Sequence, residues 1–215
     1  MHDTDTDTDT DTPGSLFVRE RSGPTFASAE AAHEAFGSDA GALNRFKGLA
    51  QQRLIHTAVS APRARVAARF GVDDIAAAKV LGALLDLGIF NRDVMATASL
   101  ALYSWSVVGA WKPGDPGPIP VNKPAHLQGV LGTNYPIRAA LMGTAKGEWW
   151  VLALDVYRSD QTGEFRRAAV VYDMEAGKPR EPEMPAEFIP HVSATVMLTP
   201  LLAPLLRLFA EPRGN

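Results

Sequence analysis

A chain of 215 residues with a formal net charge of −3 and 46% hydrophobic residues is long enough to bury its own core and has an ordinary globular composition. It contains no cysteine, which excludes disulfides, thiolate metal sites and a cysteine nucleophile. Residues 1–12 hold neither a basic run nor an apolar segment of the secretory kind, so a cytoplasmic protein is expected.

Residues 1–14 are an Asp-Thr repeat ending in Pro13-Gly14 and cannot bury enough apolar area to offset chain entropy, which predicts a disordered acidic tail. Leu16-Phe17-Val18 suits a short strand. Ser28 is an N-cap for a helix over 29–36, stopped by Gly37. Ser38 or Asp39 caps a longer helix through Val59, with Leu43, Phe46, Leu49, Leu54 and Ile55 near one face. Pro62 opens a helix to Phe70, Gly71-Val72 makes a turn, and Asp73 caps a helix through Leu87 that ends at Gly88. Ile89-Phe90 then suits the start of a strand.

Residues 94–111 carry no formal charge and reach the lower edge of a membrane-spanning length. Thr97, Ser99, Ser104 and Ser106 dilute the run and no basic cluster flanks it, so it predicts a buried helix or two buried strands, with no membrane partner. The Pro- and Gly-rich residues 112–124 are the expected linker. Beyond them, strands are expected at about 126–131, 137–144, 148–158 and 165–174. The last two form a hairpin around Ser159–Gly163: Trp150, Leu152, Leu154 and Val156 alternate on one strand, and Ala168, Val170 and Tyr172 on the next. Residues 177–190 suit a loop. Val192–Phe209, interrupted by Pro200 and Pro204, suits a kinked helix or two short ones. That segment is too apolar all round for a surface helix, so it enters the core or covers another subunit, and a homo-oligomer is expected.

The stretch 63–90, RARVAARFGVDDIAAAKVLGALLDLGIF, has the spacing of two crossing helices. Val66-Ala67 is followed four residues later by Phe70-Gly71, and Val66, Phe70, Val72, Ala77, Val80 and Leu84 form an apolar seam. Ala67 is small enough for close crossing, and Gly71 permits a turn at positive φ. This motif resembles the helix-turn-helix of winged-helix proteins. The fold expected is α+β: a winged-helix-like helical domain over 15–111, the linker, and an antiparallel β-rich domain over 125–215 with a C-terminal helix. In that family the second helix enters the major groove. The matching positions are Asp73, Asp74, Ile75, Ala78, Lys79 and Gly82, which offer carboxylates and methyls in place of bidentate donors.

Between Arg45 and Lys79, seven basic residues stand against Asp73 and Asp74 alone, whereas Glu148–Glu187 holds nine acidic residues against five basic ones. The expected nucleic-acid contacts are therefore to the backbone of duplex DNA, with low sequence specificity, through Arg53, Arg63, Arg65, Arg69 and Lys79. This reading is a non-enzymatic regulator or component of a replication or defence complex. The alternative is a protein-interaction or scaffold module, in which the helix-turn-helix is structural and the β domain docks a partner through Trp149. A third reading, a metal-dependent enzyme, rests on Asp155, Asp173 and Glu175. The histidines (His2, His33, His56, His126 and His191) lack metal-ligand spacing and no Gly-rich phosphate loop occurs, so no cofactor, metal or catalytic residue is expected.

Overall fold

Phe26 and Phe70 face each other across a small antiparallel ribbon that organises the N-terminal half. The computed structural model describes residues 24–57, 67–105, 108–109, 135–178 and 184–210. The acidic tail, the linker 112–124 and the strand expected at 126–131 lie outside them. In the ribbon, β1 (Thr25–Ala27) pairs with β2 (Arg69–Gly71), with Thr25 opposite Gly71.

Two helices follow β1. α1 (Ser28–Phe36) has nearly its expected bounds, with the Glu30 carboxylate accepting the Ala27 N–H at 3.0 Å and Gly37 ending it at φ 73°. α2 (Ala42–Gln51) is shorter than the spacing implies. Arg53 adopts a left-handed φ of 58° just beyond it, and Leu54 and Ile55 extend the apolar face into the core from irregular backbone.

β2 corrects the helix expected up to Phe70. Arg69 donates to the Thr25 hydroxyl at 2.8 Å and the Thr25 carbonyl at 2.7 Å, and Phe70 meets the Phe46 ring edge-on at 4.8 Å. These cross-ribbon contacts select extended backbone there. Gly71 is likewise extended, at φ −83° and ψ 172°, so it makes no left-handed turn. It caps α3 (Val72–Asp86), whose first turn is closed by the Asp74 carboxylate accepting the Gly71 N–H at 2.9 Å.

Eleven of the fifteen residues of α3 are buried, which makes it the axis of the molecule. Gly88, at φ 82°, follows its end as expected, but Ile89-Phe90 is a connection and not a strand. α4 (Arg92–Tyr103) starts where Asn91 accepts the N–H groups of Asp93 and Val94. Of the uncharged run 94–111, the part up to Tyr103 is thus a buried helix, and Val108–Gly109 forms the short β3.

α5 (Pro136–Ala145) replaces the strand expected at 137–144. Proline at the first helical position and the helix-forming run Arg138–Met142 outweigh the short apolar pattern that suggested a strand. Ile137, Ala140, Leu141 and Thr144 fall on its buried side at helical spacing.

The expected hairpin is present as β4 (Trp150–Ser159) and β5 (Phe165–Asp173), Leu152 opposite Val171. Val192–Met197, expected in a helix, belongs instead to β6 (Phe188–Met197). The sequence Val-Ser-Ala-Thr-Val alternates and is β-branched, and β4 supplies the neighbour that a strand requires. The sheet order is β3-β5-β4-β6, all antiparallel.

After β6 the chain forms α6 (Leu198–Leu202), a 3-10 turn (Ala203–Leu206) and α7 (Arg207–Ala210); the break falls at Pro204 as expected, while Pro200 sits inside the first turn of α6 without interrupting it. Leu198, Leu202 and Leu205 are fully buried, so this segment fills the chain's own core.

The result is an α+β architecture. Trp150, Leu152, Leu154, Ala169, Val171 and Val196 join the helices in one apolar cluster that also includes Phe26 and Leu208. The opposite sheet face carries a second, smaller cluster of Ala153, Tyr157, Ala168, Val170 and Phe188.

Candidate functional site

The basic residues singled out from sequence occupy separate settings. Arg63 and Arg65 lie outside the described residues. Arg53 is exposed in its left-handed position after α2. Arg69 is exposed, but its guanidinium is committed to Thr25. Lys79 is half-buried and donates from Nζ to the Ala35 carbonyl at 3.1 Å. Burial lowers its pKa, the Arg207 charge lowers it further, and Glu34 works the other way.

The residues that would read bases form part of the core. Asp74, Ile75 and Ala78 have no exposed surface, and Asp73 is 2% exposed. Gly82 sits beneath the Phe36 ring of α1, where any Cβ would overlap the ring. The two acids instead organise the start of α3. Asp73 accepts the Arg138 Nε–H at 2.6 Å, and Arg138 in turn lies over the Phe209 ring. Asp74 accepts the Tyr103 hydroxyl at 3.0 Å besides capping its helix. The Tyr103 ring meets His56 and Tyr135 edge-on, at 4.3 and 6.1 Å. Arg138 and Tyr103 were not legible as partners in sequence. The available signal was two adjacent carboxylates heading an otherwise apolar helix, an arrangement that requires buried donors elsewhere.

The sheet carboxylates do not converge. Asp155 faces Ala168 across the ladder and belongs to the outer face, where it accepts from Lys178 Nζ at 2.9 Å and Ser193 Oγ at 2.6 Å. Asp173 is opposite Trp150, on the alternate face, and its side chain accepts the Glu175 N–H at 3.0 Å. Strand alternation therefore separates the two acids that a shared metal ion would need together. Among the described residues, no group of three histidine or carboxylate side chains is placed to hold a metal.

The adjacent tryptophans divide between core and surface. Trp150 is fully buried and donates from Nε1 to Glu148 at 3.1 Å, whereas Trp149 is 53% exposed. The Trp149 carbonyl accepts the Met174 N–H at 2.8 Å and extends the β4–β5 ladder by one pair. Alternation places Trp149 and Met174, itself largely exposed, on the outer face beside Val151 and Tyr172. Met174 was missed in sequence because only cross-strand register brings it to Trp149. Elsewhere, a hollow of about 290 Å³ opens between α1, α2 and β2, lined chiefly by Phe46, Ala50 and Phe70 with Lys47 and Gln51 at its side.

No known family matches this chain, and no curated protein matches it in sequence. Its class is the one its architecture defines: an α+β protein with helices over one face of an antiparallel four-stranded sheet. Among the described residues no helix is long and apolar enough to cross a membrane.

Proposed function

We propose that this protein is a protein-interaction module in which the helix-turn-helix-like region is scaffold and the sheet docks a partner through Trp149. The observation that carries this reading is the burial of α3, because a helix enclosed on eleven of fifteen positions cannot enter a groove without unfolding. Trp149 and Met174 supply what a docking surface needs, a large aromatic anchor beside an adaptable thioether on a rigid ladder.

The test is a photo-crosslinking residue at position 149 in cells that express the protein, with Lys146, exposed at the end of α5, as the control position. One partner captured at 149 and not at 146, and bound in purified form by the native chain but at least tenfold more weakly by Trp149→Ala, is the expected result. The competing reading uses the exposed Arg53 and the flanking basic residues for nucleic-acid backbone contact. Salt-sensitive duplex binding at about 50 mM salt, lost in Arg53→Ala and unchanged in Trp149→Ala, would replace the proposal with that one.

A further inference from the structure

β6 stands at one end of the described sheet and is exposed along much of its length. Among the described residues its one strand neighbour is β4. Proteins blunt such edges with prolines, bulges and charges. Here Pro190 and a register shift opposite Val156/Tyr157 protect only the first part of the strand. Val192–Met197 carries no charge, no proline and no bulge, and Val192, Ser193 and Thr195 are exposed.

We infer that the β6 edge pairs with β6 of a second copy of this chain, antiparallel about Ala194, joining two four-stranded sheets into one. The composition of the edge selects this occupant. A two-fold contact sets each patch against itself, so any charge on the segment would meet its own kind near the axis. Val192–Met197 has none to meet. The register about Ala194 also matches chemistry on both faces. Val192 falls opposite the partner's Val196, and Ser193 falls opposite the partner's Thr195. Val192, half-exposed in the single chain, gains an apolar neighbour on the helix-covered side. Ser193 keeps its bond to Asp155, whose charge Lys178 balances, so the axis stays neutral on the outer face as well. One pair of edge strands is a small interface, so the dimer is weak and its population rises with concentration.

The experiment uses the full chain, which is free of cysteine. Sedimentation across a concentration series is expected to show monomer giving way to dimer. Thr195→Lys, at an exposed position, should return the mass to monomer by setting two like charges beside the axis, with an unchanged circular dichroism spectrum. Ala194→Cys should form an intermolecular disulfide under mild oxidation, since residues facing each other across an antiparallel pair have Cα atoms about 4.5–5.5 Å apart, inside the disulfide range. Val192→Cys, off the axis, should link at least tenfold more slowly. A native mass that stays monomeric up to about 1 mM overturns the inference. So does a dimer that Thr195→Lys leaves intact, or a link that forms equally well at 192 and 194. Trp149→Ala tests the other surface and should leave the dimer unchanged, so the docking proposal and this one fail separately.

Discussion

α3 and β6 are both nearly free of basic residues and rich in small and branched apolar side chains, yet they lie at opposite extremes of the fold. α3 is enclosed by α1, α4, α5 and α6 and carries the core from one half of the chain to the other. Among the described residues β6 has one neighbouring strand, and it exposes five consecutive residues, Ile189–Ser193. The contrast teaches that the segment most like a recognition element is enclosed in the core, while the segment expected as loop and helix is a strand at the exposed end of the described sheet. Local pattern reports apolarity; the number of neighbours decides whether that apolarity becomes core or edge.

The sharpest way to break this contrast is to truncate the same kind of side chain in both elements. Leu81→Ala in α3 should destabilise the fold by about 2–5 kcal/mol, because the fully buried side chain leaves a cavity. Val192→Ala on β6, measured in dilute monomer by the same denaturant titration, should change stability by less than about 1 kcal/mol. Equal losses would mean that α3 is not the axis described here.

A slightly smaller effect is expected at the head of α3. Arg138→Ala leaves the Asp73 carboxylate buried beside Asp74 without its guanidinium, at a cost of about 3 kcal/mol. The double variant with Asp73→Asn should recover part of the loss, and a purely additive cycle would show that the pair does not couple. Gly82→Ala comes next. It should cost about 1–3 kcal/mol through overlap with the Phe36 ring, and Phe36→Leu in the same chain should relieve some of it. A neutral Gly82→Ala would place α1 further from α3 than the packing shows.

The smallest effect concerns Lys79, whose folded-state pKa lies below its ordinary value, chiefly because of burial. The folded state then binds this proton less tightly than the unfolded chain. Stability therefore gains from Lys79 as pH rises through the lowered value toward the ordinary one, and the charged form carries the penalty below it. Denaturation midpoints followed into the alkaline range should show this gain in the native chain and a flatter profile in Lys79→Met. Identical profiles would mean that the ammonium is fully solvated.

Several elements were legible in the residues alone. Ser28 and Gly37 mark α1 to within a residue, although Ser28 is its first helical residue and Ala27 its cap; Gly88 ends α3, and the alternation of Trp150–Val156 with the polar Ser159–Gly163 loop describes the hairpin. Each rests on chemistry within a few residues, where backbone preference and side-chain pattern agree. The overall class, helices with an antiparallel sheet, follows from the same local signals, as does the break at Pro204. The exposed Trp149 followed too, since adjacent residues of a strand cannot both face one core.

What the tertiary structure alone decided lies where local pattern was ambiguous or a distant partner intervened. Arg69–Gly71 is strand because Thr25 and Phe26, more than forty residues earlier, offer a ladder and a ring to pack on. Val192–Met197 is strand because β4 stands beside it in the ladder, whereas 136–145, which pairs with no described strand, packs its apolar side on the core as a helix. Asp73 and Asp74, which read as the start of an exposed helix, are interior because Arg138 and Tyr103 arrive to neutralise and hydrogen-bond them. A short apolar run fits either a helix or a strand at similar local cost. The burial gained against a specific neighbour, which no window of sequence contains, settles between them.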